Sequence, residues 1–116
     1  MTIAADFDGT ISEHTYELRE FMNALSLAGH RLMVVSGRKT SEPIKDFLSQ
    51  NGFPEMDIVT KEGDTSTTRT FKSKVLADNG VDVFFENDEN LSLPQNHPTK
   101  VLTFQQRSLK FGRINM

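Results

Sequence analysis

The chain has no cysteine and no tryptophan, and Tyr16 is its one tyrosine. Without a thiol there are no disulfides, no thiolate metal centres and no cysteine nucleophile. Positive charge is not in excess either, since 13 Lys and Arg stand against 16 Asp and Glu, a formal net charge of -3 at pH 7. Proteins that live on attraction to a phosphate backbone are usually strongly basic, so bulk nucleic-acid binding is not expected, although local basic contacts remain open. No apolar run approaches the roughly 20 residues that span a bilayer. Asp6 also interrupts the N-terminal run before a signal-peptide core could form, so a cytoplasmic protein with no membrane partner is the expectation. Repeats, low-complexity tracts and inter-domain linkers are missing, and 116 residues are room for one domain, 1–116, around one core.

What the chain does have is short apolar runs alternating with helical ones. TIAA (2–5), RLMVVS (31–36), MDIVT (56–60), VDVFF (81–85) and KVLTF (100–104) are too short for typical helices and are expected as buried strands. Leu18, Phe21, Met22 and Leu25 recur at three- and four-residue spacing and predict a helix over 16–27, stopped by Gly29. In TSEPIKDFLSQNG, Thr40 or Ser41 is a cap candidate, a proline suits the first turn, and Ile44, Phe47 and Leu48 share a face. KEGDTSTTRT (61–70) is polar and reads as a loop, after which Phe71, Val75 and Leu76 predict a two-turn helix over 71–78. The tail over 105–116 is basic and carries Leu109 and Phe111, which suits a short helix or a docked arm.

Strands alternating with helices imply right-handed crossovers and a mainly parallel five-stranded sheet covered on both faces, a Rossmann-like three-layer α/β sandwich. Ligands of such sheets sit at the carboxyl ends of the strands, at the switch in strand order. Asp6 and Asp8 of AADFDGTIS fall at the end of the first strand, Ser36, Gly37 and Arg38 at the second, and Glu86, Asn87 and Asp88 at the fourth. Asp-Gly is also a common turn dipeptide. Acidic groups drawn from two strand ends repel one another unless a cation lies between them, and oxygen ligands without cysteine favour magnesium. Such an ion would hold a phosphate oxygen while one carboxylate attacks phosphorus and another handles the leaving group's proton.

At these positions the chain resembles the haloacid dehalogenase-like (HAD) phosphohydrolases. DFDGT matches that family's first motif, DxDGT, at every defined position. The resemblance implies that Asp6 is the nucleophile, forming an aspartyl-phosphate and lending a side-chain oxygen to magnesium. It implies that Asp8 is the general acid and base and lends the ion its backbone carbonyl. Ser36 matches the second motif, whose hydroxyl bonds a phosphate oxygen. The third motif needs a lysine ahead of the fourth strand; Lys72 and Lys74 both qualify, with Lys72 preferred because it starts the helix from which an ammonium reaches the strand ends. The fourth motif departs from the family's acidic pair: Glu86 is followed by Asn87 and then Asp88, which leaves the third metal ligand open between Asn87 and Asp88.

Thr10, Gly37 and Arg38 are the candidate substrate-binding residues, and the guanidinium of Arg38 suits phosphate. His14, Lys39 and Arg69 are further rim candidates, while His30 and His97 are expected to be structural or surface residues. Neither interval between motifs has room for the cap domain that family members often insert. The chain is thus similar to capless members, which act on protruding phosphates or borrow a neighbouring subunit as lid, so an oligomer is compatible. The implied function is a magnesium-dependent phosphatase acting on a nucleotide, a nucleic-acid end or another phosphate ester, and phosphotransfer would use the same residues. The alternative is a phosphate- or nucleotide-binding protein of the same fold without turnover, against which Asp6 and Asp8 both stand intact.

Overall fold

The computed structural model describes residues 1–87, 91 and 93–103. They form strands β1 (Thr2–Ala5), β2 (Arg31–Val35), β3 (Asp57–Val59), β4 (Val83–Glu86) and β5 (Lys100–Thr103), and helices α1 (Thr15–Leu27), α2 (Glu42–Gln50) and α3 (Thr68–Asp78). The sheet is parallel throughout, in the order β3-β2-β1-β4-β5. Ala5 is in register with Val34 on one side and Phe85 on the other, so the three central strands end level.

Both faces of the central strands are apolar because both are covered. Ile3, Ala5, Leu32, Val34 and Phe85 point to the face that packs Leu18 and Met22 of α1 and Ile44 and Leu48 of α2. Ala4, Met33, Val35 and Phe84 point to the other, against Phe71 and Leu76 of α3. The result is three layers. β1, α1, β2, α2 and β3 step in one direction with their helices on one face, and α3 crosses the other face to reach β4 on the far side of β1. A reversed direction with right-handed crossovers demands that change of face, and it sets the switch point between the ends of β1 and β4.

Helix ends follow the local chemistry. At the end of α1, Gly29 (φ +88°) donates its N–H to Ser26 O and His30 donates to Leu25 O, the paired closing bonds that a residue in the left-handed region permits. α3 begins at Thr68, three residues earlier than the apolar spacing predicts, because the Thr67 hydroxyl accepts the Thr70 N–H at 3.1 Å and caps the helix inside the threonine-rich segment. β4 starts at Val83, since Val81 N–H is spent closing α3 on Leu76 O. β3 is shorter than MDIVT, and β2 stops at Val35, one residue before Ser36.

His97 is structural, as expected: its Nδ1 accepts the Thr99 N–H at 3.1 Å, so Nε2 carries the proton and donates to Ser73 O at 2.8 Å, tying the segment before β5 to α3. Among the described residues no helix is long and apolar enough to cross a membrane. Asp88 and the basic tail 105–116 lie outside the described residues.

Candidate active site

Asp6 extends the β1–β4 pairing by one residue, its N–H donating to Phe85 O at 2.8 Å. The chain then leaves the sheet in a wide turn, Phe7–Ile11, closed by Ile11 N–H to Asp6 O at 3.3 Å and Ser12 N–H to Phe7 O at 3.0 Å. Gly9 makes this turn feasible. Its φ of +80° suits glycine, its N–H donates to Ser12 Oγ at 2.9 Å, and a Cβ there would run into the side chain of Asn87. The DFDG segment is therefore folded directly against the residue that follows β4.

Three charged side chains meet in the interior at this point. Lys72, on the second turn of α3, places Nζ 3.0 Å from Asp6 Oδ1 and 2.7 Å from Glu86 Oε2. All three are buried, at 5% exposed for Asp6, 7% for Lys72 and 1% for Glu86, so water screens them little. Glu86 Oε1 also accepts the Asn87 N–H at 2.9 Å. One ammonium thus serves two carboxylates, and one negative charge is left over. Burial pushes the Asp6 carboxyl up to about 7; Lys72 pulls it down, and Glu86 adds to the rise. Burial works against the Lys72 ammonium as well, but Asp6 and Glu86 outweigh it and hold that group above the ordinary lysine range. Lys72 therefore stays charged, and a second proton enters the cluster at Asp6 as pH falls below about 7.

A second pair sits at the rim. Arg38 donates from Nε to Asp8 Oδ2 at 2.9 Å and from Nη2 to Asp8 Oδ1 at 2.8 Å, a two-pronged contact. Its guanidinium carbon lies 5.0 Å from the centre of the Phe7 ring, which meets Phe47 edge-on at 5.1 Å. Between the two pairs lies an open cleft of about 400 Å³, walled by Asp6, Asp8, Gly37, Arg38, Thr68, Lys72, Glu86 and Asn87.

Most residues singled out from the sequence converge here, with differences of placement. Lys72 is the lysine at the cleft and Lys74 is exposed. Ser36 lies behind the wall, 1% exposed, its Oγ accepting the Arg38 N–H at 3.1 Å. Thr10 is fully buried and does not line the cleft, and its hydroxyl has no hydrogen-bond partner among the described residues. Lys39 and Arg69 are exposed outside the cleft wall, and His14 is buried at the start of α1. Thr68 carried no role in the sequence reading, and Glu86, read there as part of the acidic cluster after the fourth strand, takes a further one. Thr68 forms the wall opposite Gly37, where a Cβ would come within 2.9 Å of Thr68 Cγ2. Glu86 is the second acceptor of Lys72, and its signal in the sequence was an acid directly after the apolar run VDVFF.

The side chains on the cleft wall that could ligate a cation offer oxygens: the carboxylates of Asp6 and Glu86 and the amide of Asn87, with the Asp8 carboxylate turned onto Arg38. That set fits a hard divalent cation in kind, and the unbalanced negative charge of the Asp6–Lys72–Glu86 cluster is what a cation would offset. Among the described residues no three His, Asp or Glu side chains gather into a metal-holding group, so such an ion would lean on neutral oxygens. No protein-family model, curated protein or solved structure matches the chain. The structure itself shows an all-parallel, Rossmann-like α/β sandwich with a charged cleft at its switch point.

Proposed function

We propose that the protein is a HAD-like, magnesium-dependent phosphomonoester hydrolase. The observation that carries this reading is the Asp6 carboxylate, buried at the end of β1 in contact with Lys72, with Asp8 two residues further on at the rim of the same cleft. Asp6 Oδ attacks phosphorus and the bond from phosphorus to the leaving oxygen breaks, Asp8 giving its proton to that oxygen. Asp8 then takes a proton from water, whose oxygen attacks phosphorus and breaks the bond to Asp6. Ester and water are consumed, and alcohol and phosphate are released. Lys72 keeps its charge through the cycle and offsets the negative charge gathering at phosphorus, while Arg38 orients the phosphate oxygens.

Magnesium, held by Asp6, the Asp8 carbonyl and Asn87 or Asp88, would draw charge from a phosphate oxygen and ease the approach of one anion to another. The substrate class is a nucleotide, a nucleic-acid end or another phosphate ester. A binder without turnover is the second reading, and Asn87 supports it by standing where the family carries an acid. The test is an assay over nucleotides, 3'- and 5'-phosphorylated oligonucleotides and sugar phosphates, with and without magnesium. Magnesium-dependent phosphate release that vanishes in Asp6→Asn is the expected result. Binding without release across the panel would select the binder.

A further inference from the structure

Both carboxylate oxygens of Asp8 are turned onto Arg38, at 2.8 and 2.9 Å, which points the group proposed to handle the leaving-group proton at a cation of its own chain. From this geometry we infer that Arg38 is a phosphate-operated latch: it holds Asp8 while the cleft is empty and releases it when a phosphate takes the guanidinium's donors. The inference rests on the phosphatase reading of the cleft and adds to it how Asp8 is freed only in the presence of substrate.

Three observations carry it. The Arg38–Asp8 pair is weakly shielded, with side chains 40% and 56% exposed, whereas Lys72 and its partners are below a tenth. Exposed pairs are screened and exchange readily, so this contact is the one of the two that an incoming anion can replace. Arg38 is also held by contacts independent of Asp8. Its N–H donates to Ser36 Oγ at 3.1 Å, its carbonyl accepts the Lys61 N–H at 2.8 Å, and the Phe7 ring, itself buried against Phe47, lies under the guanidinium. The cation therefore stays at the cleft when Asp8 swings away. Finally, the planar fork that grips a carboxylate with two parallel bonds grips two oxygens of a phosphate in the same way, so carboxylate and phosphate compete for one set of donors.

Phe7, the residue between the two aspartates, becomes a positioning residue in this scheme. Its ring sets where the fork stands, on the wall the phosphate must meet.

The test is a double-mutant cycle on phosphate affinity, with inorganic phosphate titrated by calorimetry, magnesium in excess, into the full chain, Asp8→Asn, Arg38→Met and the double variant. Both side chains are half exposed, and thermal melts of all four confirm that they fold. The latch predicts that Asp8→Asn binds phosphate roughly two- to fivefold more tightly than the parent, the release of one exposed ion pair. It also predicts that this gain disappears in the Arg38→Met background. A gain of equal size in both backgrounds would reflect the lost negative charge alone and would overturn the latch while leaving the phosphate site standing. No gain in either background would overturn it too. Failure of all four proteins to bind phosphate would overturn the latch together with the phosphatase reading beneath it.

Discussion

Lys72 Nζ lies 2.7 Å from Glu86 Oε2, both side chains being more than nine-tenths buried. The contact spans the crossover itself, because Lys72 comes from the helix that passes over the back of the sheet and Glu86 from the end of the strand that this helix feeds. The same ammonium reaches Asp6 at the end of the neighbouring strand, so one side chain closes the seam at the switch point.

Lys72→Met keeps the apolar stem of the side chain but removes the ammonium, which lies 5.9 Å from the centre of the Phe84 ring, and strands two buried carboxylates. Removing one partner of a buried ion pair typically costs about 3–5 kcal/mol. Urea unfolding at pH 8 should show a loss of that order, and at pH 5, where Asp6 takes up a proton, a smaller one. A variant as stable as the parent at pH 8 would mean that Lys72 does not balance these charges.

Asp6→Asn should abolish turnover, since an amide does not form the acyl-phosphate, yet stabilise the metal-free protein. The sign follows from the raised carboxyl. The unfolded group titrates near 3.8 and the folded one near 7, so between these values the folded protein holds a proton that the unfolded chain has lost. Stability supplied by the protonated form is complete below about 4, drains away as pH rises, and is gone above 7. The asparagine variant does not titrate there. Its stability should therefore match the parent's near pH 4 and exceed it at pH 8 by up to about 4 kcal/mol, at 1.36 kcal/mol per pH unit, with a higher melting temperature there. A gap that narrows with rising pH would contradict the burial argument.

How much of this was legible in the residues differs by element. The strands were, because a sheet covered on both faces needs continuous apolar runs, and RLMVV and VFF are such runs. Helix closure at Gly29 was as well. The start of α3 was not, since Thr67 acts through a hydroxyl cap that competes with the loop character of its neighbours. In the cleft, DFDG and Glu86 stood out as acids at strand ends and Lys72 as one of two lysines ahead of the fourth strand, whereas the Lys72–Glu86 contact and the two-pronged Arg38–Asp8 contact depend on which side chains face each other across elements, and spacing along one chain does not encode that. Ser36 had the expected position in sequence; that its hydroxyl accepts the Arg38 N–H and lies 1% exposed behind the wall was not legible there.

Asp8→Asn should slow hydrolysis by roughly 10² to 10⁴, the usual contribution of a general acid and base. The loss should be largest for alkyl phosphates, whose leaving oxygen needs the proton, and small in the first step for activated aryl phosphates. Rates measured across a series of leaving groups decide it, because equal losses along the series would remove Asp8 from the role of proton donor.

The last prediction concerns Asn87, which lies against Gly9 and lines the cleft beside Asp6 and Glu86. Asn87→Asp changes the volume little and adds a negative charge to a cluster in which one ammonium already faces two carboxylates. Without metal that charge is unfavourable, so the melting temperature should fall. With magnesium the sign reverses, since the added carboxylate is a better ligand for a hard cation than an amide. Two unit charges about 4 Å apart interact by about 4 kcal/mol at an effective dielectric near 20, so a tightening of magnesium binding by tenfold or more is expected if the side chain touches the ion. Calorimetric titration of magnesium reads the affinity, and melts with and without the ion read the reversal. Should Asn87→Asp leave the affinity unchanged while Asp88→Asn weakens it markedly, the charged ligand is Asp88 and Asn87 only packs the turn of Gly9.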